Sequence, residues 1–233
     1  MSDIAVGRTV ARQGAATRTQ TWARGGAATG VLSIIVATIG FVLHGNPPLG
    51  KSGPALVTWA AGVDQTRFTT GIYVELLGYL LFLVFAAWLW SVLRRPGDEA
   101  AWLSMAALVG AILSMGLSAV ADGFWLALLS GAHQGTAPQT LALLREAAEQ
   151  TFAISFLFGG LFTLLIGVVI VRTRRLPMWS GVTALILGVG TLAPPIALPA
   201  SLIWEVWVLV VSIYLLLRPV AGVAGGPGLI SAN

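Results

Sequence analysis

Apolar residues dominate six stretches of the chain, and short polar segments separate these stretches. A transmembrane helix needs about 20 predominantly apolar residues, because the hydrocarbon core of a bilayer is roughly 30 Å thick. The pattern therefore predicts an all-α polytopic membrane protein with a six-helix transmembrane bundle. The predicted spans are residues 27–44, 70–93, 102–129, 151–171, 178–197 and 200–217.

Only a short proline-rich segment, from Pro194 to Pro199, separates the last two spans. Two antiparallel spans joined by a very short turn are the simpler interpretation. A broken or re-entrant helix across residues 178–217 is the alternative, because non-helical backbone is tolerated at membrane depth where protein surrounds it.

The small share of charged residues excludes a water-soluble monomer. Only 9% of the residues are charged and 57% are apolar, whereas about a quarter of the residues in a soluble domain are charged. Cysteine is absent, which excludes disulfides, thiolate nucleophiles and cysteine-bound metals. The net charge of +4 comes from arginines that flank apolar stretches, so we expect membrane lipids and no nucleic acid as partners.

The basic residues predict the orientation of the bundle. With a cytoplasmic N-terminus, ten of the 13 basic residues lie on the cytoplasmic side, and Lys51, Arg67 and Arg145 lie outside. This asymmetry follows the positive-inside rule, so both termini are predicted to be cytoplasmic. The composition, rich in Ala, Gly, Val, Leu and Arg, fits a GC-rich bacterium, which predicts a multi-pass protein of the bacterial cytoplasmic (inner) membrane.

The chain divides into a membrane domain and two tails. We predict a disordered basic cytoplasmic tail at 1–26, a transmembrane domain at 27–218 and a flexible cytoplasmic tail at 219–233. Two outer loops interrupt the domain. The loop at 45–69 is predicted to cap the outer surface, and the loop at 131–150 is predicted to hold a helix that begins at Pro138 and runs into the fourth span.

The chemistry of the first outer loop excludes two cofactor classes. Residues 45–52, GNPPLGKS, match the phosphate-binding P-loop pattern. Pro47 and Pro48 lack the backbone N–H groups that would hold phosphates, so we expect no nucleotide. Lys51 is the single lysine of the chain and lies in this loop, so we expect no retinal Schiff base.

Two histidines, His44 and His133, lie at or just beyond the outer ends of spans. A structural role at the membrane interface is the favoured interpretation. A metal site completed by carboxylates is the weaker alternative, and we expect none. The sequence also argues against haem, because bis-histidine ligation requires both rings to face one cavity.

Three spans each carry one acid at similar depth in the outer half: Glu75, Asp122 and Glu205. Placing a charge at the centre of a membrane helix costs roughly 2.5–3.5 kcal/mol on insertion scales, so these acids require a reason. We predict a shared pocket that binds a ligand or a proton. Its candidate residues are Glu75, Asp122, Glu205, Tyr79, Ser118 and Trp125. The alternative is purely structural, with small and hydroxyl residues serving helix packing alone.

Two hypotheses for the function follow. The first is a membrane protein that binds a small molecule, lipid or ion in an outward-opening carboxylate pocket, with proton coupling as an option. The second is a non-catalytic accessory subunit that packs against other membrane subunits or copies of itself. An intramembrane hydrolase is disfavoured, because two histidines without a His-x3-His spacing offer a poor metal site.

The layout also resembles a known family. It combines glycines along the first span from Gly25 to Gly40, a second span with Gly71 and Gly78 that ends at Arg94-Arg95, and a third span rich in small residues. Over residues 25–218 these features are similar to bacterial DUF4386-like membrane proteins. The resemblance implies the six-span layout and carries no activity or catalytic residue.

Overall fold

The computed structural model describes residues 3–45, 47–94, 101–193 and 196–218, with side chains from residue 24 onward except Leu198. All regular structure in this part of the chain is α-helical, as the sequence predicts. The helices are α1 (Asp3–His44), α2 (Gly53–Ala61), α3 (Gln65–Leu93), α4 (Ala101–His133), α5 (Pro138–Thr173), α6 (Met178–Leu192) and α7 (Ala197–Leu217).

Five helices are long and apolar enough to cross a membrane: Arg24–His44 within α1, α3, α4, α5 and Pro199–Leu217 within α7. They correspond to five of the six predicted spans. The predicted span at 178–197 is the shorter helix α6, which has 15 residues and is about 22 Å long at 1.5 Å per residue. Residues 194 and 195, on which the alternative of a broken helix depends, lie outside the described residues.

Six helices pack in chain order around a closed ring, in which α1 contacts both α3 and α7. The short helix α2 lies against α4 and α5. Glycines permit the closest helix contacts: a Cβ atom at Gly40 would lie 2.4 Å from the backbone nitrogen of Glu75, and one at Gly78 would lie 2.7 Å from Ala37. Small residues allow membrane helices to approach in this way.

The ring has two chemically different ends. At one end, Nη1 of Arg175 donates hydrogen bonds to the backbone oxygens of Val92 and Arg94, which joins the last turn of α3 to the segment after α5. We name this the arginine end. The opposite end, here the histidine end, holds the last residues of α1 and α4, His44 and His133.

The loops at the histidine end are tied to α5. This helix begins at Pro138 and runs unbroken to Thr173, which confirms the predicted continuation into the fourth span. The backbone N–H of Gly50 donates to Oε1 of Glu149 at 2.8 Å, and Arg145 donates to Oε2 of the same carboxylate at 2.7 Å. The loop before α2 is therefore fastened to the first turns of α5.

The N-terminal segment differs from the prediction. Helix α1 begins at Asp3, whereas the sequence predicts a disordered tail up to residue 26. The segment contains five alanines and no proline, and alanine has the strongest helix propensity, so the span extends backwards as one helix. The tail predicted at 219–233 lies outside the described residues.

The interior contains two apolar clusters. The cluster toward the arginine end includes Phe85, Phe162 and Val208, and the cluster toward the histidine end includes Phe68, Trp125 and Leu141. Between them, α3, α4 and α5 contribute residues 73–81, 112–124 and 149–161, which hold Glu75, Tyr79, Ser114, Ser118, Asp122 and Ser155. We call this zone, together with Glu205 of α7, the polar layer.

Candidate functional site

Glu75 lies at the centre of the hydrogen bonding in the polar layer. One carboxylate oxygen, Oε2, lies 2.6 Å from Nε2 of His44, and the other, Oε1, accepts a hydrogen bond from the Tyr79 hydroxyl at 2.7 Å. Both partners are donors when Glu75 is ionised, so the proton on the imidazole is assigned to Nε2. Glu75 and Tyr79 are four residues apart and therefore share one face of α3.

Two glycines make the contact between His44 and Glu75 possible. Gly40 lies one turn before His44 on α1, and Gly71 lies one turn before Glu75 on α3. A Cβ atom at Gly71 would lie 2.5 Å from the backbone nitrogen of His44. The two helices thus approach closely at the level at which their polar side chains meet.

The ring of His44 is enclosed by aromatic side chains. It packs edge-on against Phe41 and Phe68, with ring centroids 5.4 and 5.6 Å apart. The side chain is only 6% exposed, and its second nitrogen, Nδ1, is buried without a hydrogen-bond partner among the described residues. An unmatched buried polar atom of this kind costs about 1–3 kcal/mol.

Asp122 is the most deeply buried acid of the polar layer. The residue is 9% exposed, and its Oδ2 has no hydrogen-bond partner in the part of the chain that the structure describes. Its carboxyl group lies close enough to Glu75 for the two charges to interact. Ser114 and Ser118 follow the same stripe of α4 but donate to the backbone oxygen and the hydroxyl of Ser155, so they join α4 to α5.

Glu205 lies at the edge of the cluster. The residue is exposed, yet its carboxyl group also interacts with the charge of Glu75. It lies seven residues before Ser212, which faces Gly30 of α1, so both belong to the side of α7 that faces α1. The Tyr79 hydroxyl interacts with all three acids. The structure therefore joins Glu75 to Tyr79 by a hydrogen bond, and Asp122 and Glu205 interact with this pair through their charges.

The aromatic side chains near the acids of α3, α4 and α7 have different environments. Trp125 is 6% exposed and belongs to the apolar cluster at the histidine end. Tyr73 is 63% exposed and points away from the interior. Trp207 donates from Nε1 to the backbone oxygen of Ser180, whereas Trp204 packs edge-on against Phe82 at 5.1 Å and its Nε1 is buried without a described partner.

The sequence did not identify His44 as the partner of Glu75. The sequence contains a signal for this contact, because a glycine lies one turn before the polar residue in both helices: Gly40 before His44 and Gly71 before Glu75. Which faces of two helices meet depends on their rotation, and neither span fixes this rotation alone.

The second histidine has a different environment. His133 is exposed and its Nδ1 bonds to the backbone oxygen of Leu129 at 2.8 Å. Among the described residues, no three His, Asp or Glu side chains group closely enough to hold a metal ion.

The ring of long apolar helices with acids along three of them defines a multi-pass membrane bundle that carries a polar layer. The chain belongs to the family described as "Domain of unknown function (DUF4386)", whose model matches residues 27–219. This match confirms the resemblance seen in the sequence.

Part of the chain is similar to a protein with a functional name. The chain is 26% identical, over 152 residues, to "Heme exporter protein C" from Paracoccus denitrificans. The aligned part covers 65% of this chain and 56% of that protein, so the chain spans about half the length of the relative that it matches. No solved structure matches the chain.

Proposed function

We propose that this protein is a non-catalytic membrane protein that binds a small solute or ion at the polar layer and exchanges protons as it does so. The site would open toward the outer side of a bacterial inner membrane, at the histidine end. The observation that carries the proposal is the imbalance of charge inside the bundle.

The imbalance follows from the residues of the cluster. It contains the carboxyl groups of Glu75, Asp122 and Glu205, and one basic side chain, His44, that pairs with Glu75. The described residues form two ion pairs, and the second, between Arg145 and Glu149, lies at the start of α5. Because an isolated charge is costly in a medium of low dielectric constant, the site must acquire positive charge as protons or as a bound cation.

The hydrogen bonds supply a route for protons. His44 ends α1 next to the loop at the histidine end, and Tyr79 lies one turn deeper on α3, with Glu75 between them. Each of the three groups can donate or accept a proton, and Tyr79 in turn lies near Asp122. A change of charge at Asp122 is therefore linked to the loop after α1 through Tyr79, Glu75 and His44.

A proton-release assay tests this function. The purified protein in weakly buffered detergent is mixed with n-butylammonium, tetramethylammonium, sodium, n-butanol or butyrate, and the medium pH and thermal unfolding are recorded. We expect at least one probe to stabilise the wild type and change the pH, and we expect Glu75→Gln and Asp122→Asn to lose both effects.

Glu146→Gln is the matched control, because it removes the same charge at an exposed position of α5. It should behave like the wild type. The proposal fails if no probe acts, or if the two cluster variants respond as strongly as this control.

A second candidate function is an accessory role in a membrane assembly that handles haem. The match to a protein named as a haem exporter favours it. His133 offers a local feature: with Nδ1 as donor to Leu129, its Nε2 is left bare on an exposed ring, which is the form of histidine that binds metals.

Titration with haemin tests this second role. Binding through His133 would produce a haem absorption change that His133→Ala removes and His44→Ala retains. Equal spectra for wild type and His133→Ala would reject the contact through this residue.

A further inference from the structure

We propose that the solute taken up at the polar layer is a small organic ammonium ion that retains N–H groups, such as a protonated primary amine. This inference rests on the proposed function and names the chemical class of the ligand. Three properties of the site lead to it: the sign of its charge, its unmatched acceptor atoms and its apolar surroundings.

The sign of the charge selects a cation. The cluster holds three carboxyl groups, of which Glu75 pairs with an imidazole, and no ion pair among the described residues brings a lysine or arginine to it. An anionic ligand would add a charge of the sign that is already in excess. A cation would offset the repulsion of Glu75 with Asp122 and with Glu205.

The acceptor oxygen of Asp122 that is unpaired among the described residues favours a ligand that donates hydrogen bonds. Oδ2 of Asp122 is buried on a residue that is 9% exposed and accepts no hydrogen bond from a described residue. A carboxylate oxygen needs an N–H or O–H group opposite it. An ammonium nitrogen provides both the charge and the N–H group, whereas a quaternary nitrogen provides the charge alone.

The arrangement does not favour a metal ion. A hard cation such as Ca²⁺ takes six to eight oxygen ligands at 2.3–2.6 Å. No three acidic or histidine side chains of the described residues group in this way. An organic cation needs only one or two hydrogen bonds together with apolar contacts.

The surroundings supply those apolar contacts. Asp122 lies one turn before Trp125, which belongs to the cluster at the histidine end. On α7, Glu205 follows Trp204, which packs against Phe82. Aromatic faces attract cations, and the hydrocarbon part of an amine can lie against the two apolar clusters. Glu205, exposed on the side of α7 that faces α1, provides a carboxylate where a cation can first bind.

A methylation series tests the inference directly. The probes are n-butylammonium and its N-methyl, N,N-dimethyl and N,N,N-trimethyl derivatives, which keep one charge and one butyl chain while N–H groups decrease from three to none. Affinity for the purified full chain in detergent is measured by tryptophan fluorescence at a pH at which all four are cations. Protein-free micelles correct for partitioning into detergent.

We expect affinity to fall along the series. The quaternary member should bind about tenfold more weakly than the primary amine, because it leaves one buried acceptor unmatched. Asp122→Asn should weaken the primary amine by at least a similar factor and flatten the series, while Glu146→Gln should preserve both. Glu205→Gln changes an exposed residue and should weaken all four amines by the same few-fold factor.

The outcomes separate the inference from the proposed function. Equal or tighter binding of the quaternary ion, or of neutral n-butanol, in an Asp122-dependent manner would overturn the ammonium assignment and leave solute binding intact. If Asp122→Asn does not fold, the wild-type series and Glu205→Gln still decide the matter. If no amine binds, and Glu75→Gln behaves like the wild type in the proton-release assay, the ammonium assignment and the proposed function are both overturned.

Discussion

At the scale of single residues, the two tyrosines of α3 offer a matched pair. Tyr79 donates to the Glu75 carboxylate at 2.7 Å, whereas Tyr73, six residues earlier on the same helix, is 63% exposed. Tyr79→Phe should lower the free energy of unfolding by about 1–2 kcal/mol, because a carboxylate inside the bundle loses a donor. Tyr73→Phe removes the same atom and should have an effect below about 0.5 kcal/mol.

Reversible unfolding in mixed micelles measures both variants. Equal effects of the two substitutions would show that the Tyr79 hydroxyl adds nothing to the polar layer. A loss confined to Tyr79→Phe would show that the bond to Glu75 contributes to folding as well as to the proposed proton route.

At the scale of helices, the contact between α1 and α3 depends on the absence of a side chain at Gly40. A Cβ atom there would lie 2.4 Å from the backbone nitrogen of Glu75, so Gly40→Ala must push the helices apart. We expect a destabilisation of about 1–3 kcal/mol, together with a longer distance between His44 and Glu75.

Gly116 on α4 is the matched control for this helix contact, because an added Cβ atom would meet nothing within 4 Å. Gly116→Ala should stabilise the protein by about 0.5–1 kcal/mol through its higher helix propensity. The opposite signs of the two substitutions are the result to check by thermal unfolding. Destabilisation by both would indicate that α4 has a partner surface at Gly116.

The loop before α2 depends on one carboxylate of α5. Glu149 accepts a hydrogen bond from the backbone of Gly50, the residue before Lys51. Glu149→Ala should free the loop and raise the rate of tryptic cleavage after Lys51 by a few-fold, in keeping with the loss of one partly exposed hydrogen bond. Glu146→Ala, one turn earlier and exposed, should leave the rate unchanged. Equal rates in both variants would contradict the role of Glu149.

At the scale of the whole molecule, the apolar stretches were sufficient to predict the five long apolar helices but not their mutual rotation. The continuation of the helix from Pro138 into the fourth span was predictable, because it depends on local sequence. The pairing of His44 with Glu75 and the exposed position of Glu205 were not, because each depends on how two separate helices face each other. The helical start at Asp3 escaped prediction since that segment has no apolar period.

The orientation in the membrane belongs to this largest scale, and the chain is suited to test it because it contains no cysteine. A single cysteine at Lys51, in the loop at the histidine end, should react with a membrane-impermeant maleimide added to intact cells. A single cysteine at Arg174, at the arginine end, should react only after the membrane is opened. Arginines collect at that end, at residues 94, 172, 174, 175 and 218, and such clusters stay in the cytoplasm. The reverse labelling pattern would place the loop that Glu149 holds on the cytoplasmic side, so that the proposed solute would reach Asp122 from within the cell.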